Sequence, residues 1–335
     1  CLETQARLEG NPRYVAIFAQ AAAGDVSPNY RFDRRRNRDV GRYDDDEASA
    51  LFSGEMQADH ARAVAAAALR VGTPVRHGLH SRITSTDFFA APVDPAFAFG
   101  REGLRTGPPR LGVHFACGTP EGPGPLGFAQ SMSSVLTRAK ALRTQVGSEA
   151  FDDRIHGTKQ TFMELAHGGR NRFLGLFELP PLLLKTLPNR HLRHVGTALR
   201  ETDASYQPWV PRLLPAQVMR IGPLVLAGMP KEPTTVSGRR IADVVRRGLD
   251  RDVGYVVVNG YANGYAGYVT TPEEYTLQRY EGASTLFGEA SLPAWCTAFA
   301  ALLTRMRADT ARVPSLSGTV GRDRNAEAPS VPVVP

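Results

Sequence analysis

The sequence predicts a mixed α/β (α+β) fold, a mixed β-sheet flanked by helices, with site residues carried on strand ends. Three observations predict it. Short apolar, β-branched runs such as Val253–Asn259 (VGYVVVN) stop abruptly at Gly, Pro or Asn, as buried strands do. Longer stretches such as Pro293–Met306 carry apolar residues at helical spacing. In Leu214–Met229 (LPAQVMRIGPLVLAGM) two strand-like halves flank Gly222-Pro223, a hairpin whose second strand leads into a helical segment.

Taken in order, Tyr14–Gln20 (YVAIFAQ) reads as a buried strand. It runs into Ala21–Asp25, whose small residues permit a tight turn. Ser27 lies just past the strand end and Pro28-Asn29 closes the turn. The dense charge after Arg31 marks an exposed loop. Asp46–Leu69 is expected to be one long helix, and Ile83–Phe89 and Leu111–Cys117 strands. Gly118–Gly127 holds too much Gly and Pro for anything but a loop. Phe128–Val146 is read as helical, and Leu179–Leu187 as a short apolar run broken by prolines. Thr235 or Ser237 is expected to cap a helix over Gly238–Leu249, with Val244 and Val245 on its buried face. Pro272-Glu273-Glu274 suits a helix start, with proline in the first turn and acids at the positive end. One domain is expected over residues 1–310, followed by a disordered Pro/Ser-rich tail over 311–335.

At 335 residues, 42% hydrophobic and 22% charged, the chain can bury a sizeable core. Its apolar runs all fall short of the roughly 20 residues a membrane-spanning helix needs. The net charge of +7 would suit an anionic surface, but the arginines are scattered and no nucleic-acid module stands out. Cys1, Cys117 and Cys296 cannot form a disulfide framework, although one bridge remains open. His77 and His80, like His191 and His194, lie three apart without an HExxH helix, so spacing alone assembles no metal site.

Three polar residues stand at turns after apolar runs. Glu232, in MPKEPTTVSGRR, follows a strand and precedes a helix, where a carboxylate on a fixed strand end can bind a metal. Tyr268, in GYVTTPEEY, and Ser27, in GDVSPN, would each be ordinary alone; Ser27 lies in no GxSxG elbow. Together, and in this order, the three runs resemble the neutral/alkaline ceramidases, zinc-dependent amidases that cleave the N-acyl bond of ceramide. QRYEGAST (Gln278–Thr285), FACGT (Phe115–Thr119) and PWVP (Pro208–Pro211) add to the resemblance, which runs from about Tyr14 to Met306.

The resemblance implies a partial ceramidase catalytic domain that hydrolyses ceramide to sphingosine and free fatty acid. It maps the nucleophile to Ser27, zinc ligands to Glu232 and Tyr268, and a tyrosine beside the scissile amide to Tyr280. It implies Zn2+ as cofactor and ceramide as substrate, with a peripheral membrane surface possible and no nucleic acid. A secreted or extracytoplasmic location is implied as well. Family members carry two zinc histidines before the serine, whereas the 26 residues preceding Ser27 hold none. The chain is therefore expected to be a fragment supplying two of four ligands, without the family's carboxyl-terminal β-sandwich. Lys231 and Pro233 depart from the family run, setting a cation next to the carboxylate. Attack by Ser27 and attack by zinc-bound hydroxide both fit these residues. An inactive lipid-binding homologue, or an amidase for another N-acylated lipid, is the alternative.

Overall fold

A computed structural model describes residues 2–72, 75, 78–119, 121–124, 153–167, 170–173, 177–178, 193–194, 197, 209–249 and 253–312. Its strands are β1 (Arg31–Asp33), β2 (Arg38–Val40), β3 (Leu79–Asp87), β4 (Arg110–Gly112), β5 (Gly118–Thr119), β6 (Gly122–Pro123) and β7 (Thr161–His167). They continue as β8 (Arg170–Phe173), β9 (Phe177–Glu178), β10 (Leu213–Ile221), β11 (Leu224–Gly228), β12 (Glu232–Pro233), β13 (Tyr255–Asn259) and β14 (Tyr268–Val269). The helices are α1 (Leu2–Leu8), α2 (Asp46–Val71), α3 (Val113–Cys117), α4 (Asp153–His156), α5 (Thr235–Gly248), α6 (Pro272–Leu277), α7 (Tyr280–Ser284) and α8 (Ser291–Arg312).

The expected hairpin forms the centre of the main sheet. β10 and β11 pair antiparallel across Gly222, whose φ of 55° suits a residue without a side chain. The sheet order is β13-β11-β10-β3, with β13 parallel to β11 and β3 antiparallel to β10. Alternation along β10 buries Leu214, Ala216 and Val218 on one face. Helix α8 packs on β10, and the same buried cluster takes in Trp295, Phe299, Leu302 and Leu303 of α8 and Ile241 and Val245 of α5. The Trp295 ring stacks on Phe88 at 4.4 Å. A second, antiparallel sheet runs β4-β7-β8-β9. Together these give the mixed sheets and flanking helices expected.

Several elements differ from the sequence reading. Tyr14–Gln20 is not a strand but an extended segment outside the sheets, with Ile17 87% exposed. β-prone residues form a strand only beside a free edge. Among the described residues this run gives the sheet ends one backbone bond, Gly260 N–H to the Gln20 carbonyl at 3.1 Å. Leu111–Cys117 divides into the end of β4 and the short helix α3: the register against β7 shifts between Leu111 and Gly112, and from Val113 the chain turns helical. The charged run after Arg31 is a small hairpin, β1 with β2, whose turn is closed by Asp33 accepting the Arg35 and Arg36 amides.

The cap of α5 is Thr234, whose hydroxyl accepts the Ser237 amide, rather than Thr235 or Ser237. α6 begins as expected, with Pro272 in its first turn and a Thr271–Glu274 capping box. Cys117 and Cys296 are buried free thiols. Phe128–Val146 and Leu179–Leu187 lie outside the described residues, as does the tail expected over 311–335 apart from Ala311 and Arg312, which end α8. No helix among the described residues is long and apolar enough to cross a membrane.

Candidate active site

Two strands leave the same end of the main sheet and are rejoined beyond it. β11 continues through Met229-Pro230-Lys231 into β12, and β13 through the loop 260–267 into β14. β12 and β14 pair in parallel with Glu232 opposite Tyr268. The loop is stitched down by Ala262 N–H to the Met229 carbonyl at 3.0 Å and Ala266 N–H to the Pro230 carbonyl at 2.8 Å. Tyr261 and Asn263 take left-handed backbone, with φ of 55° and 63°, an uncommon conformation for tyrosine.

The consequence is a carboxylate ringed by phenols. Glu232 Oε2 accepts the Tyr261 hydroxyl at 2.7 Å, and Oε1 accepts the Tyr265 hydroxyl. The Tyr268 ring meets Tyr280 edge-to-face at 5.7 Å, and Phe115 stacks on the other side of Tyr280 at 6.0 Å. Burial first, and then the charge of Glu232, push the phenols of Tyr265 and Tyr268 far above their usual range. Burial and Glu232 likewise raise Tyr261, and burial raises Tyr280. All four are therefore neutral O–H donors at physiological pH.

The GDVSPN run reaches this site from the other side. The Gly24 amide donates to the Pro233 carbonyl at 2.9 Å, and a Cβ on Gly24 would stand 2.7 Å from the Glu232 carbonyl oxygen. Only glycine permits that approach. Asp25 Oδ1 accepts the Thr235 amide and hydroxyl at 2.7 and 2.8 Å, so a carboxylate sits at the positive end of α5. The run is thereby docked on β12 and on the helix that follows it. Ser27 itself is exposed, and its hydroxyl accepts the Asn29 amide at 3.1 Å.

The structure thus gathers Glu232, Tyr268 and Tyr280 in one place and ties the Ser27 loop to the strand carrying Glu232. Sequence reasoning missed Tyr261, Tyr265 and Phe115. The signal for the first two was present, as three tyrosines within eight residues after a strand. Lys231 does not lie beside the carboxylate in the way its sequence position suggested. Its side chain is fully buried, its ammonium donating to the Ala266 carbonyl and lying 4.3 Å from the centre of the Phe287 ring. His80 and His194 are exposed, and His77 and His191 lie outside the described residues.

Zinc, which the resemblance implies, has a partial match here. A carboxylate and a phenol facing each other in register are two oxygen donors suited to one divalent ion. The two hydroxyls drawn to Glu232 mark where positive charge is most favoured. Among the described residues no group of three or more His, Cys, Asp or Glu comes together, so Glu232 and Tyr268 would supply two of the donors a zinc ion needs and not a full set.

The family model for neutral/alkaline non-lysosomal ceramidase, N-terminal, matches residues 2–170 and 190–297. The chain belongs to that family. The neutral ceramidase of Mycobacterium tuberculosis is 32% identical over 314 residues, covering 90% of this chain and 40% of that protein. That of Pseudomonas aeruginosa is 32% identical over 313 residues, covering 91% of this chain and 40% of its own length. The chain thus spans about two-fifths of these ceramidases. A solved structure described as ceramidase complexed with C2 superposes with a TM-score of 0.62 at 29% identity, over 95% of this chain and 43% of that one. The Pseudomonas aeruginosa neutral ceramidase crystal structure gives 0.60 at 26% identity, over 95% and 41%.

Proposed function

We propose that this ceramidase-family chain forms the part of a zinc-dependent amidase that hydrolyses ceramide to sphingosine and free fatty acid. The observation that carries the reading is Glu232 in register with Tyr268, with Tyr280 packed on Tyr268. In this reading Glu232 and Tyr268 hold zinc, and its other ligands come from outside the described residues. When bound, the ion supplies Lewis acidity at the amide carbonyl.

The chain's own residues have separable tasks. Tyr280, neutral and braced by Phe115, lines the site beside the scissile amide and offers its O–H to the developing oxyanion. Ser27 is the nucleophile. Its oxygen bonds to the carbonyl carbon as the C–N bond breaks, the serine proton passes to the nitrogen so that sphingosine leaves as the amine, and water then hydrolyses the acyl ester, returning the Ser27 hydroxyl and releasing the free acid. Tyr261 and Tyr265 hold the Glu232 carboxylate in one orientation. The family resemblance further supports a secreted or extracytoplasmic setting and action at a peripheral membrane surface, and a single catalytic domain over residues 1–310.

Fatty acid release from a short-chain ceramide by a purified, zinc-supplemented protein that carries this chain together with the remaining zinc ligands tests the reading. Zinc content is measured in parallel. A folded protein that binds zinc and releases no fatty acid would refute the activity; one that releases it after metal removal would refute the role of zinc.

A further inference from the structure

A groove runs along α5 from Arg240 to its carboxyl end. The helix has 14 residues and so spans about 20 Å between the Glu232 end and its carboxyl end. Helix α5, the first turns of α8 and the 3-10 turn Pro95–Phe97 enclose a volume of about 520 Å³. That is within the size range of small-molecule sites. Its lining is mainly apolar, with Val244 from α5, Leu292, Pro293 and Ala300 from α8, and the rings of Phe97 and Phe99.

Phe99 makes this groove more than a packing gap. It is 65% exposed and has a φ of 52°, a strained conformation for an aromatic residue. The turn that holds it is fixed on both sides. Ala98 N–H donates to the Pro95 carbonyl at 3.2 Å, and Arg101 pairs with Glu289 at 3.1 Å. A large ring is thus held out over an apolar groove instead of being folded into the core.

The polar rim is uneven in charge. Arg240 is committed to Glu273 through two bonds of 2.9 and 3.2 Å, and Asp243 takes Arg246 at 2.7 Å. Arg247 lines the same groove, and its Nε donates to the Asp243 backbone carbonyl at 3.2 Å. Among the described residues its charge therefore meets a neutral group, while those of Arg240 and Asp243 are matched. The amino-terminal turn of α8, with its partial positive charge, lines the same space. An apolar groove with one unmatched guanidinium complements an amphiphile bearing a single negative charge.

We propose that this groove binds a long-chain fatty acid, its acyl chain against Val244, Leu292 and Ala300 and its carboxylate on Arg247. The site is separate from the Glu232 site and does not depend on the chain's hydrolysing ceramide. The test is titration with cis-parinaric acid, a fluorescent fatty acid, below its micelle concentration, with palmitate and hexadecanol as competitors. One saturable site is expected, with palmitate displacing the probe at least tenfold better than hexadecanol. Ala300→Trp and Val244→Trp, which fill the groove, should each weaken binding more than tenfold. Arg247→Gln should weaken it about tenfold and remove the preference for acid over alcohol. Glu232→Gln should bind like the parent. Absence of a saturable site overturns the proposal. So does unchanged binding in either tryptophan variant with a parental circular dichroism spectrum, and so does loss of binding in Glu232→Gln alone. An Arg247→Gln variant that still prefers the acid overturns the placement of the carboxylate.

Discussion

Glu232 and Tyr268 stand opposite each other on the two-residue parallel pair β12–β14, beyond the ends of the central strands that deliver them. The pairing is fixed by backbone bonds, Glu232 N–H to the Gly267 carbonyl and Thr234 N–H to the Val269 carbonyl, both at 3.0 Å. Their spacing therefore depends on the backbone of the sheet and survives side-chain substitution. That makes the contribution of each oxygen separately testable.

If the two oxygens share a zinc ion, Glu232→Ala should remove zinc and activity together. Tyr268→Phe, which deletes one oxygen and keeps the ring packed on Tyr280, should weaken zinc binding by a smaller factor. Ser27→Ala should retain zinc and lose activity. Metal content by mass spectrometry, set beside fatty acid release, separates the three. Zinc retained at parental level in Glu232→Ala would remove that residue from the metal shell.

How much of this was legible from sequence depends on which interactions are local. The β10–β11 hairpin, the start of α6 at Pro272 and Val245 on the buried face of α5 follow from residues close together in the chain and are readable, whereas Val244, expected beside Val245, is only partly buried and lines the groove along α5. Tyr14–Gln20 has the composition of a strand, but whether it pairs is decided by a distant edge that no local pattern reports. The same holds at the site. Glu232, Tyr268, Tyr280 and Ser27 were marked by motif resemblance, whereas Tyr261 and Tyr265 could be assigned to the carboxylate only once the 260–267 loop was folded back on Lys231 and Met229. Lys231 was misplaced for a related reason. Neighbours along an extended chain point to opposite sides, and the side opposite Glu232 holds Phe287 and the Ala266 carbonyl.

Gly24→Ala should be costly, because the new Cβ would stand 2.7 Å from the Glu232 carbonyl oxygen, a backbone atom that cannot turn aside. A loss of about 1–3 kcal/mol is expected from overpacking. The shift would also lift the Ser27 loop off β12, so activity should fall further than stability explains. Gly54→Ala, in the middle of α2 with nothing within 4 Å of the new methyl, should instead stabilise by about 0.5–1 kcal/mol. Urea denaturation of both variants checks the contrast, and equal effects would contradict the close approach at Gly24.

Lys159 should act on Tyr280 without touching it. Its ammonium donates to the carbonyls of Arg110, Ala283 and Thr285 at 3.1, 3.0 and 2.6 Å, clasping the end of α7, whose first residue is Tyr280. Lys159→Met fills the space but leaves buried carbonyls without a donor, so a loss of more than about 2 kcal/mol is expected. A changed near-ultraviolet tyrosine dichroism should accompany it. A variant of parental stability and parental tyrosine signal would show that the clasp does not order α7.

Cys296 should give the chain an alkaline weakness. Burial against α5 raises its thiol to about 12, an effect that Arg240 and Arg247 only partly offset. In the unfolded chain the thiol ionises near the ordinary value of about 8.5. Below that pH both states hold the proton and the group has no effect on the pH dependence. Above it the unfolded state loses its proton and the folded state keeps it. Stability then falls as pH rises from about 8.5 towards the folded value of about 12, at about 1.4 kcal/mol per pH unit once ionisation of the unfolded state is complete. Cys296→Ala leaves a small constant penalty for lost packing and abolishes this slope. The parent's stability, measured by urea denaturation at pH 8 and pH 10, should therefore drop by about 1–2 kcal/mol more than the variant's. Parallel profiles for the two proteins would mean that the thiol is not held protonated by the fold.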